Sequence, residues 1–254
     1  MELQEPCAIF LTEHVGELND GAGFLSRLDK QQQEVVRGLG TTQILKKNDT
    51  LFTQGEQHGG IWIIESGRIR TFYSGPTGRE VTLAYWTTGH FVGGPEVFGG
   101  GKHIWSADSL ENSEVLYLPG RVIRRLVEEM PQVAISIIEG LVAKGKCYSA
   151  LIQMFGTRTA TERLKHLLII LATHQGREVG DSIVVDRTIT YEQLATIVGA
   201  TRQWVSTTLD NLQSRGVLTL TRHQLQIGSI EALKDMLDLP STFPESNNEV
   251  VNGS

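Results

Sequence analysis

The stretch ATIVGATRQWVSTTLDNL, residues 195–212, places one glycine between two short runs of helical periodicity. Thr190 can cap a first helix that begins at Tyr191, with Gln193 completing a capping box three residues after the cap. Gly199 then supplies the tight turn that joins the two helices of a helix-turn-helix. The stretch therefore predicts two short helices packed against each other at a sharp angle.

The second of these helices has an apolar inner face and a polar outer face. Val205, Leu209 and Leu212 recur at i, i+4 and i+7, so they are expected to face inward. The outer face of the second helix in a helix-turn-helix enters the major groove, where arginine pairs with guanine and glutamine with adenine. A small helical domain with a solvated polar face is the alternative. The predicted DNA-binding residues are Thr201, Arg202, Gln203, Trp204, Ser206, Thr207 and, on a following hairpin wing, Arg222; for Trp204, packing against the preceding helix stays equally open.

Composition bounds the class of protein. The chain has 254 residues and a net charge of −6, but residues 157–230 carry eight Lys and Arg against six Asp and Glu. This distribution is compatible with a local DNA-reading surface and disfavours non-specific coating of nucleic acid. No apolar run approaches the roughly 20 residues that span a bilayer, and the amino terminus lacks a basic secretory leader. With only Cys7 and Cys147, no disulfide framework or iron–sulfur cluster is expected, and a reducing cytoplasm is the simplest compartment.

Residues 44–118 have the character of a compact antiparallel barrel or roll. Short β-rich runs (IWIIESG, RIRTFYS, REVTLAYW and SEVLYLP) are separated by turns, and 12 of the 27 glycines fall between Gly55 and Gly101. In residues 68–73 and 79–86 apolar side chains mostly alternate with polar ones, which is typical of half-buried strands.

A long helix is predicted to begin at Pro131, because proline is favoured at the first helical position. Apolar or small residues then repeat with 4-3-4-3-4-3 spacing, as in the seam of a coiled coil. A helix packed only on its own domain is the alternative, but the persistence of the seam favours a homodimer. Gly145 leaves a gap there, which means either a close approach of two helices or another group filling the space. The predicted interface residues are Ala134, Ile138, Leu141, Gly145, Tyr148, Ile152 and Phe155.

The predicted fold class is α+β, with five segments along the chain. Residues 1–40 are a lead-in with a short helix, residues 41–130 a β-roll sensor domain, and residues 131–156 the dimerisation helix. Residues 157–239 are a winged helix-turn-helix domain, in which VLTLTRHQLQI supplies two strands of the wing. Residues 240–254 are polar and are expected to be disordered.

A glycine-rich β-roll, a long helix and a winged helix-turn-helix, in that order, resemble the CRP/FNR family of bacterial transcription regulators. The matching runs are DTLFTQGE, IWIIESGRIRTFY, GREVTLAYWTTGHFVGG, the long helix and LATIVGATRQWVSTTLDNLQSRGVL. REVTLAYWTTG and ATRQWVSTTLDNL are especially similar to the family's haem-containing carbon-monoxide sensors. The resemblance implies a cyclic-nucleotide-binding-like roll, and it implies that the family's recognition-helix arginine is Arg202, followed by Gln203 and Thr207.

The resemblance also indicates that the sensor domain lacks the residues with which family members bind cyclic nucleotides and haem. Cyclic-nucleotide members bind ribose through a glutamate and phosphate through an arginine–serine pair, which here are Gly94 and Ile104-Trp105, after the turn glycine Gly93. Cyclic AMP is therefore not expected, since a buried unpaired anion is strongly unfavourable. The haem-ligand positions of the carbon-monoxide sensors are Gly93 and Pro95, neither of which binds iron.

Other candidate ligands in the sensor domain and lead-in are His58, His90, His103 and Cys7. We expect each to be an ordinary surface residue, with haem held by an unusual pair of them as the alternative, and we predict no metal site. A small apolar or aromatic effector is predicted instead. The residues of this predicted effector pocket are Phe91, Gly93, Gly94, Trp105, Gly145, Tyr148 and Ser149.

The predicted function is an effector-gated transcription regulator that binds a palindromic operator as a homodimer. Its expected partners are double-stranded DNA, RNA polymerase and a small molecule, without membrane association. The alternative is a ligand-binding regulatory or scaffolding protein that binds no operator. An enzyme is not expected, because no nucleophile–base pair, metal cluster or phosphate-cradling loop has the required spacing.

Overall fold

The computed structural model describes residues 23–180, 182–186, 189–221 and 224–228. Cys7, Arg222 and the predicted tail at residues 240–254 lie outside the described residues. The first elements in chain order are α1 (Lys30–Leu39), β1 (Thr41–Leu45), β2 (Thr50–Phe52), β3 (Gly60–Ser66), β4 (Arg68–Ser74), β5 (Glu80–Thr87), β6 (Phe91–Val92), β7 (Ser106–Ser109) and β8 (Ser113–Pro119). They are followed by α2 (Gly120–Glu129), α3 (Pro131–Thr157), α4 (Ala160–Gln175), β9 (Gly176–Val179), β10 (Ser182–Asp186), α5 (Tyr191–Val198), α6 (Arg202–Ser214), β11 (Leu218–Leu220) and β12 (Gln224–Ile227).

Two four-stranded antiparallel sheets form the predicted roll, with strand orders β1-β8-β3-β6 and β2-β7-β4-β5. Successive side chains of a strand point to opposite faces, and β3 uses both faces. Trp62 and Ile64 enter the roll core between the sheets, whereas Ile61 and Ile63 enter a helix-side core. The roll core includes Leu45, Phe52, Trp62, Ile64, Ile69, Ala84, Trp86, Val92, Ala107 and Val115. The helix-side core includes Phe24, Val36, Ile61, Ile63, Phe91, Leu116, Leu118, Ile123, Leu126, Val133 and Ile137.

Helices close the outer face of the first sheet. Asp29 caps α1, and Gln32 completes its capping box with a hydrogen bond back to the cap. The helix α2 is not evident from the sequence pattern, although its ten residues contribute Ile123 and Leu126 to the helix-side core. Because α2 ends directly before Pro131, its sequence is easily taken for the connection between the roll and the long helix.

The long helix α3 begins at Pro131, as predicted, and passes all three cores of the described chain. It contributes Val133 to the helix-side core, Cys147 to the roll core and Met154 to the core of the winged domain. Its remaining face carries apolar side chains that the protomer leaves exposed. These are Ile135, Ile138, Leu141, Val142 and Ile152.

The winged domain packs α4, α5 and α6 on a sheet with strand order β11-β12-β10-β9. Thr159 caps α4 through a capping box with Glu162, whose pKa is lowered by hydrogen bonds from the Thr159 backbone and side chain. The buried winged-domain core includes Leu151, Met154, Leu164, Leu168, Leu171, Leu194, Ile197, Val205, Leu209, Leu212, Leu218 and Leu225.

The roll and the winged domain share a buried contact. Tyr85 of β5 belongs to the winged-domain core, and burial raises its pKa to about 12. On the same strand, Thr82 donates a hydrogen bond from its hydroxyl to Thr196 of α5 at 3.0 Å. Both threonines are buried. The sensor sheet therefore touches the first helix of the helix-turn-helix directly.

Candidate DNA-binding surface and effector pocket

The turn between α5 and α6 has the geometry predicted from sequence. The amide of Gln193 donates to Thr190 Oγ1 at 3.2 Å, and Gln193 Oε1 accepts from the amide of Thr190 at 2.8 Å, which completes the capping box. Gly199 ends α5 with φ +65° and ψ +44°, a left-handed conformation that favours glycine. The amides of Gly199 and Ala200 both donate to the carbonyl of Ala195, which satisfies the end of the helix.

Gly199 also lies against the end of the long helix. A Cβ added at this glycine would stand 2.5 Å from the ring of Phe155, and the Arg163 guanidinium covers that ring at 4.6 Å. Arg163 Nε in turn donates to the carbonyl of Val198 at 2.8 Å. The structure thus directs Phe155, a predicted dimer residue, toward the turn of its own helix-turn-helix.

The helix α6 separates an inner from an outer face. Val205, Leu209 and Leu212 are buried, as predicted. Thr201 caps the helix, because its hydroxyl accepts from the amide of Trp204 at 3.1 Å. The predicted contacts on the outer face are Arg202, Gln203 and Thr207, which are exposed, and Ser206, which is half-buried. A helix start with these side chains free to solvent has the shape of a major-groove reader.

Trp204 and the wing differ from this outer face. Trp204 is half-buried and packs against the winged-domain core, and its carbonyl accepts from the Thr208 hydroxyl at 2.8 Å. The predicted strand pair is present as β11 and β12, which pair antiparallel. Thr221 and Gln224 hydrogen-bond to each other, whereas Arg222 lies outside the described residues.

Some of the residues that were predicted to line the effector pocket lie close to one another. Trp105 Nε1 donates to the carbonyl of Gly93 at 2.9 Å, and the Trp105 and Tyr148 ring centroids are 5.7 Å apart. Both aromatic residues are half-buried against the roll core, and Tyr148 also packs against the winged-domain core. Ser149 and Gly145 are exposed on α3, and open space surrounds Gly145.

Phe91 does not join the other aromatic residues of this pocket. Its ring is buried in the helix-side core, edge-on to Phe24 at 5.9 Å, while the next residue, Val92, points into the roll core. Strand alternation in β6 is the reason, since adjacent residues face opposite sides. The glycine that meets Phe91 is Gly140, where an added Cβ would stand 2.3 Å from the ring.

The expectation that His58 and His103 lie at the surface is wrong. Their exposed fractions are 2% and 3%, and their ring centroids are 4.5 Å apart. His58 Nε2 accepts from the amide of Gly94 at 2.6 Å, and a Cβ at Gly94 would stand 2.7 Å from the His58 ring. His58 therefore lies beside Gly94, where the family's ribose-binding glutamate would project, within the segment that corresponds to the family's phosphate-binding cassette (the cassette, residues 89–108). The glycines on both sides of it, in GEQHGG, made a surface turn the natural interpretation.

Lys144 is a second buried group whose burial is not evident from the sequence. Its ammonium donates to the carbonyl of Phe91 at 2.6 Å and lies 3.8 Å from the Trp86 ring centroid and 4.3 Å from that of Phe91. Such cation–π contacts strengthen when they are desolvated. Burial lowers the pKa of the nearby, half-buried His90, and the Lys144 charge lowers it further. A lysine on a helix is ordinarily expected to be exposed to solvent. The neighbouring sequence gives no sign that Lys144 is buried against Trp86 and Phe91.

Metal ligands do not converge within the described ranges. No group of three or more His, Cys, Asp or Glu in residues 23–180, 182–186, 189–221 and 224–228 is arranged to hold a metal ion. Among the helices of the same residues, none is long and apolar enough to cross a bilayer.

Two domain families match the chain. The family described as cyclic nucleotide-binding domain matches residues 42–130, and the Crp-like helix-turn-helix domain matches residues 162–236. The chain belongs to the CRP/FNR family. It is a CRP-family transcription regulator with a helix-turn-helix DNA-binding domain, and the predicted α+β fold and the exclusion of an enzyme agree with this family.

Among the relatives and solved structures similar to this chain, two are named for different effectors. The Global nitrogen regulator of a Nostoc species is 21% identical over 78% of this chain and 93% of its own length. The CRP-like cAMP-activated global transcriptional regulator of Mycobacterium tuberculosis is 23% identical over 74% of this chain and 84% of its own. A CooA mutant from Carboxydothermus hydrogenoformans superposes with a TM-score of 0.69, at 21% identity over 91% of this chain and 99% of that one. The c-di-GMP responsive regulator CLP of Xanthomonas campestris gives a TM-score of 0.71, at 17% identity over 79% and 100% of the two chains.

Proposed function

We propose that this CRP/FNR protein is an effector-gated homodimer that reads a palindromic operator through α6. The observation that carries the proposal is the outer face of α6, where Arg202, Gln203 and Thr207 stand exposed at the start of a capped helix. Guanidinium and amide side chains at this position match the acceptor and donor pattern of the major groove. Residues 41–130, 131–156 and 157–239 then act as sensor, dimerisation helix and reader, with RNA polymerase as the partner on promoter DNA.

The exposed apolar face of α3 supports the homodimer. Ile138 is 59% exposed and Ile152 is 73% exposed, yet the two lie two heptads apart on one helix. A second copy of the same helix would cover both at once. A dimer with two-fold symmetry presents two recognition helices to half-sites about 34 Å apart along the duplex.

Gating requires a path from the effector pocket to α6, and Tyr148 lies on one. It touches Trp105 beside the cassette and packs against both the roll core and the winged-domain core. Farther along the same helix, Phe155 rests on the Gly199 turn. An effector that binds one packing of α3 more tightly than another would thereby shift the position of the recognition helix. The aromatic pair Trp105 and Tyr148 favours an apolar or aromatic effector.

Replacing Arg202 with alanine tests the reader directly. We expect operator binding to weaken by roughly 1–3 kcal/mol and sequence preference to relax at one base pair of each half-site, because a bidentate pair with guanine is lost. The measurement is a competition gel shift with the selected operator against a randomised duplex.

Arg121→Ala is the matched control, since it removes an exposed arginine on α2 of the sensor domain. It should leave both affinity and preference unchanged. If Arg202→Ala lowered binding to operator and random duplex by the same factor, Arg202 would be a phosphate contact and the base-reading assignment would fail.

Cyclic AMP is expected not to bind. Gly94 lacks the ribose acceptor, His58 fills the space beside it, and Trp105 stands where the family's phosphate clamp would be. Titration calorimetry of the full chain with cyclic AMP should show no saturable heat at micromolar concentrations. Saturable binding that also increases operator affinity would contradict this part of the proposal.

A further inference from the structure

His58 closes the cassette loop from inside the roll. A backbone amide can only donate, so His58 Nε2, which lies 2.6 Å from the amide nitrogen of Gly94, must be the unprotonated acceptor of that bond. The ring proton of neutral His58 is then on Nδ1. That atom is buried and has no hydrogen-bond partner among the described residues. The cassette bond therefore depends on a buried imidazole that keeps one particular nitrogen free of a proton.

The carboxylate of Glu96 lies near the imidazole ring of His58. The point where a Cβ of Gly94 would stand is 2.9 Å from His58 Nε2 and 3.3 Å from Glu96 Oε2. Both atoms therefore lie near this one point, and the negative charge of Glu96 acts on the His58 ring. Neutral His58 has no proton on Nε2 to donate to this carboxylate, whereas protonated His58 does.

The other titratable groups around His58 do not take this role. His103 stacks on Phe52 at 4.0 Å between ring centroids, and its Nδ1 also lacks a partner among the described residues. Glu56, from the loop after β2, accepts the amide of Thr53 at 2.9 Å and acts on His103. Glu96 is thus the carboxylate placed to receive a proton-bearing His58 Nε2.

We propose that His58 is a proton-operated latch on the cassette. One proton from solvent adds to Nε2, the bond from the Gly94 amide breaks, and the new Nε2–H donates to Glu96 Oε2. The imidazolium and carboxylate neutralise each other, and the Gly94 amide is left as a free donor for a hydrogen-bond acceptor of the effector. This inference rests on the proposed function in one respect, that the cassette belongs to the effector site.

The direction of the pH response follows from the surroundings of the two rings. Burial lowers the pKa of His58 from its ordinary value of 6.5, and Glu96 opposes this by raising it. Burial, helped by the charge of His58, lowers the pKa of His103 to about 4. His58 therefore takes the first proton, and the second is resisted by like charge. The latch is closed at neutral pH and opens as the pH falls below 6.5.

The same shift affects folding. Because the pKa of His58 is lower in the folded than in the unfolded chain, its neutral form contributes stability that is fully present above pH 6.5 and is lost as the pH falls through the folded pKa. A fall in pH therefore breaks the hydrogen bond between Gly94 and His58 and also lowers the free energy of unfolding.

NMR of the DNA-free, full-length protein labelled with ¹⁵N in histidine and glycine tests the latch. At pH 7.5 the ring nitrogens of His58 should report the Nδ1–H tautomer. Between pH 8 and pH 5 the Gly94 amide should shift with the same midpoint as the His58 ring, below pH 6.5. The opposite tautomer, or a Gly94 amide that stays unchanged while His58 becomes protonated, would overturn the proposal without any variant.

Three variants distinguish protonation of His58 from a non-specific effect of low pH on the protein. His58→Gln offers a side-chain carbonyl to the Gly94 amide but takes up no proton, so the shift of that amide should be lost. Glu96→Gln should move its midpoint to lower pH. His90→Gln, the matched change at another histidine of the sensor domain, should leave the midpoint where it is. An unaltered Gly94 titration in His58→Gln would refute the latch, and since no DNA is present, the result is independent of operator binding.

Discussion

Replacing Ile138 and Ile152 together with lysine is expected to give a folded monomer that binds its operator at least about 100-fold more weakly. Both side chains are exposed in the protomer, so the substitutions disturb no internal packing. In a dimer they would place four ammonium groups in one apolar seam, where burying unpaired charge is strongly unfavourable. Sedimentation gives the mass, and fluorescence anisotropy with labelled operator gives the affinity.

Ile44→Lys is the control for this double variant. Ile44 is an equally apolar and even more exposed residue, but it lies on the edge strand β1. It should leave both mass and operator affinity unchanged. A double variant that sediments as a dimer would show that α3 is not the interface.

Gly199→Ala should destabilise the winged domain by roughly 2–4 kcal/mol. The left-handed backbone is unfavourable for any residue with a Cβ, and here the added atom would also meet the Phe155 ring at 2.5 Å. Chemical unfolding followed by circular dichroism measures the loss. Operator binding should fall with it, since the same turn sets the angle between α5 and α6.

Gly216→Ala separates the two causes. Gly216 has φ +72° but nothing within 4 Å of its added Cβ, so only the backbone cost of about 1 kcal/mol is expected. Phe155→Leu combined with Gly199→Ala should recover part of the difference, because a branched aliphatic side chain leaves more room than a ring. Equal losses at Gly199 and Gly216 would mean that Phe155 does not press on the turn.

The parts of the fold that were predictable from sequence depend on neighbours along the chain. The α5–α6 turn was predicted because a cap, its capping-box partner and a left-handed glycine lie within ten residues, from Thr190 to Gly199. The wing followed from two alternating runs around one turn, and α3 from Pro131 and its apolar periodicity. These signals are local and need no knowledge of tertiary contacts.

The residues that were missed depend on partners far along the chain. His58 is buried because it meets Gly94, 36 positions later, and Lys144 because it meets Phe91, 53 positions earlier. A histidine between glycines and a lysine on a helix each favour a surface position when considered alone. Phe91 was predicted to line the effector pocket, whereas its ring lies in the helix-side core, because only the sheet decides which of the apolar neighbours Phe91 and Val92 faces which side.

The predicted seam of α3 illustrates a limit of periodicity. The exposed apolar residues include Ile135 and Val142, which the 4-3 spacing from Ala134 left out, and the structure turns Phe155 toward its own winged domain. The predicted seam and the exposed apolar residues have Ile138, Leu141 and Ile152 in common. An apolar helix that packs on three cores carries several overlapping stripes, and spacing alone cannot say which one is free.

Tyr85 has a consequence for the construction of chimaeric regulators. Because this sensor residue completes the winged-domain core, and Thr82 bonds to Thr196 beside it, the reader of this protein is not a self-contained module. A hybrid joined within residues 157–160 would lack Tyr85, so the hydrophobic core of its winged domain would be incomplete. A transplanted sensor must therefore supply a β5 strand matched to α5, so the strand and the helix are best exchanged between regulators as a pair.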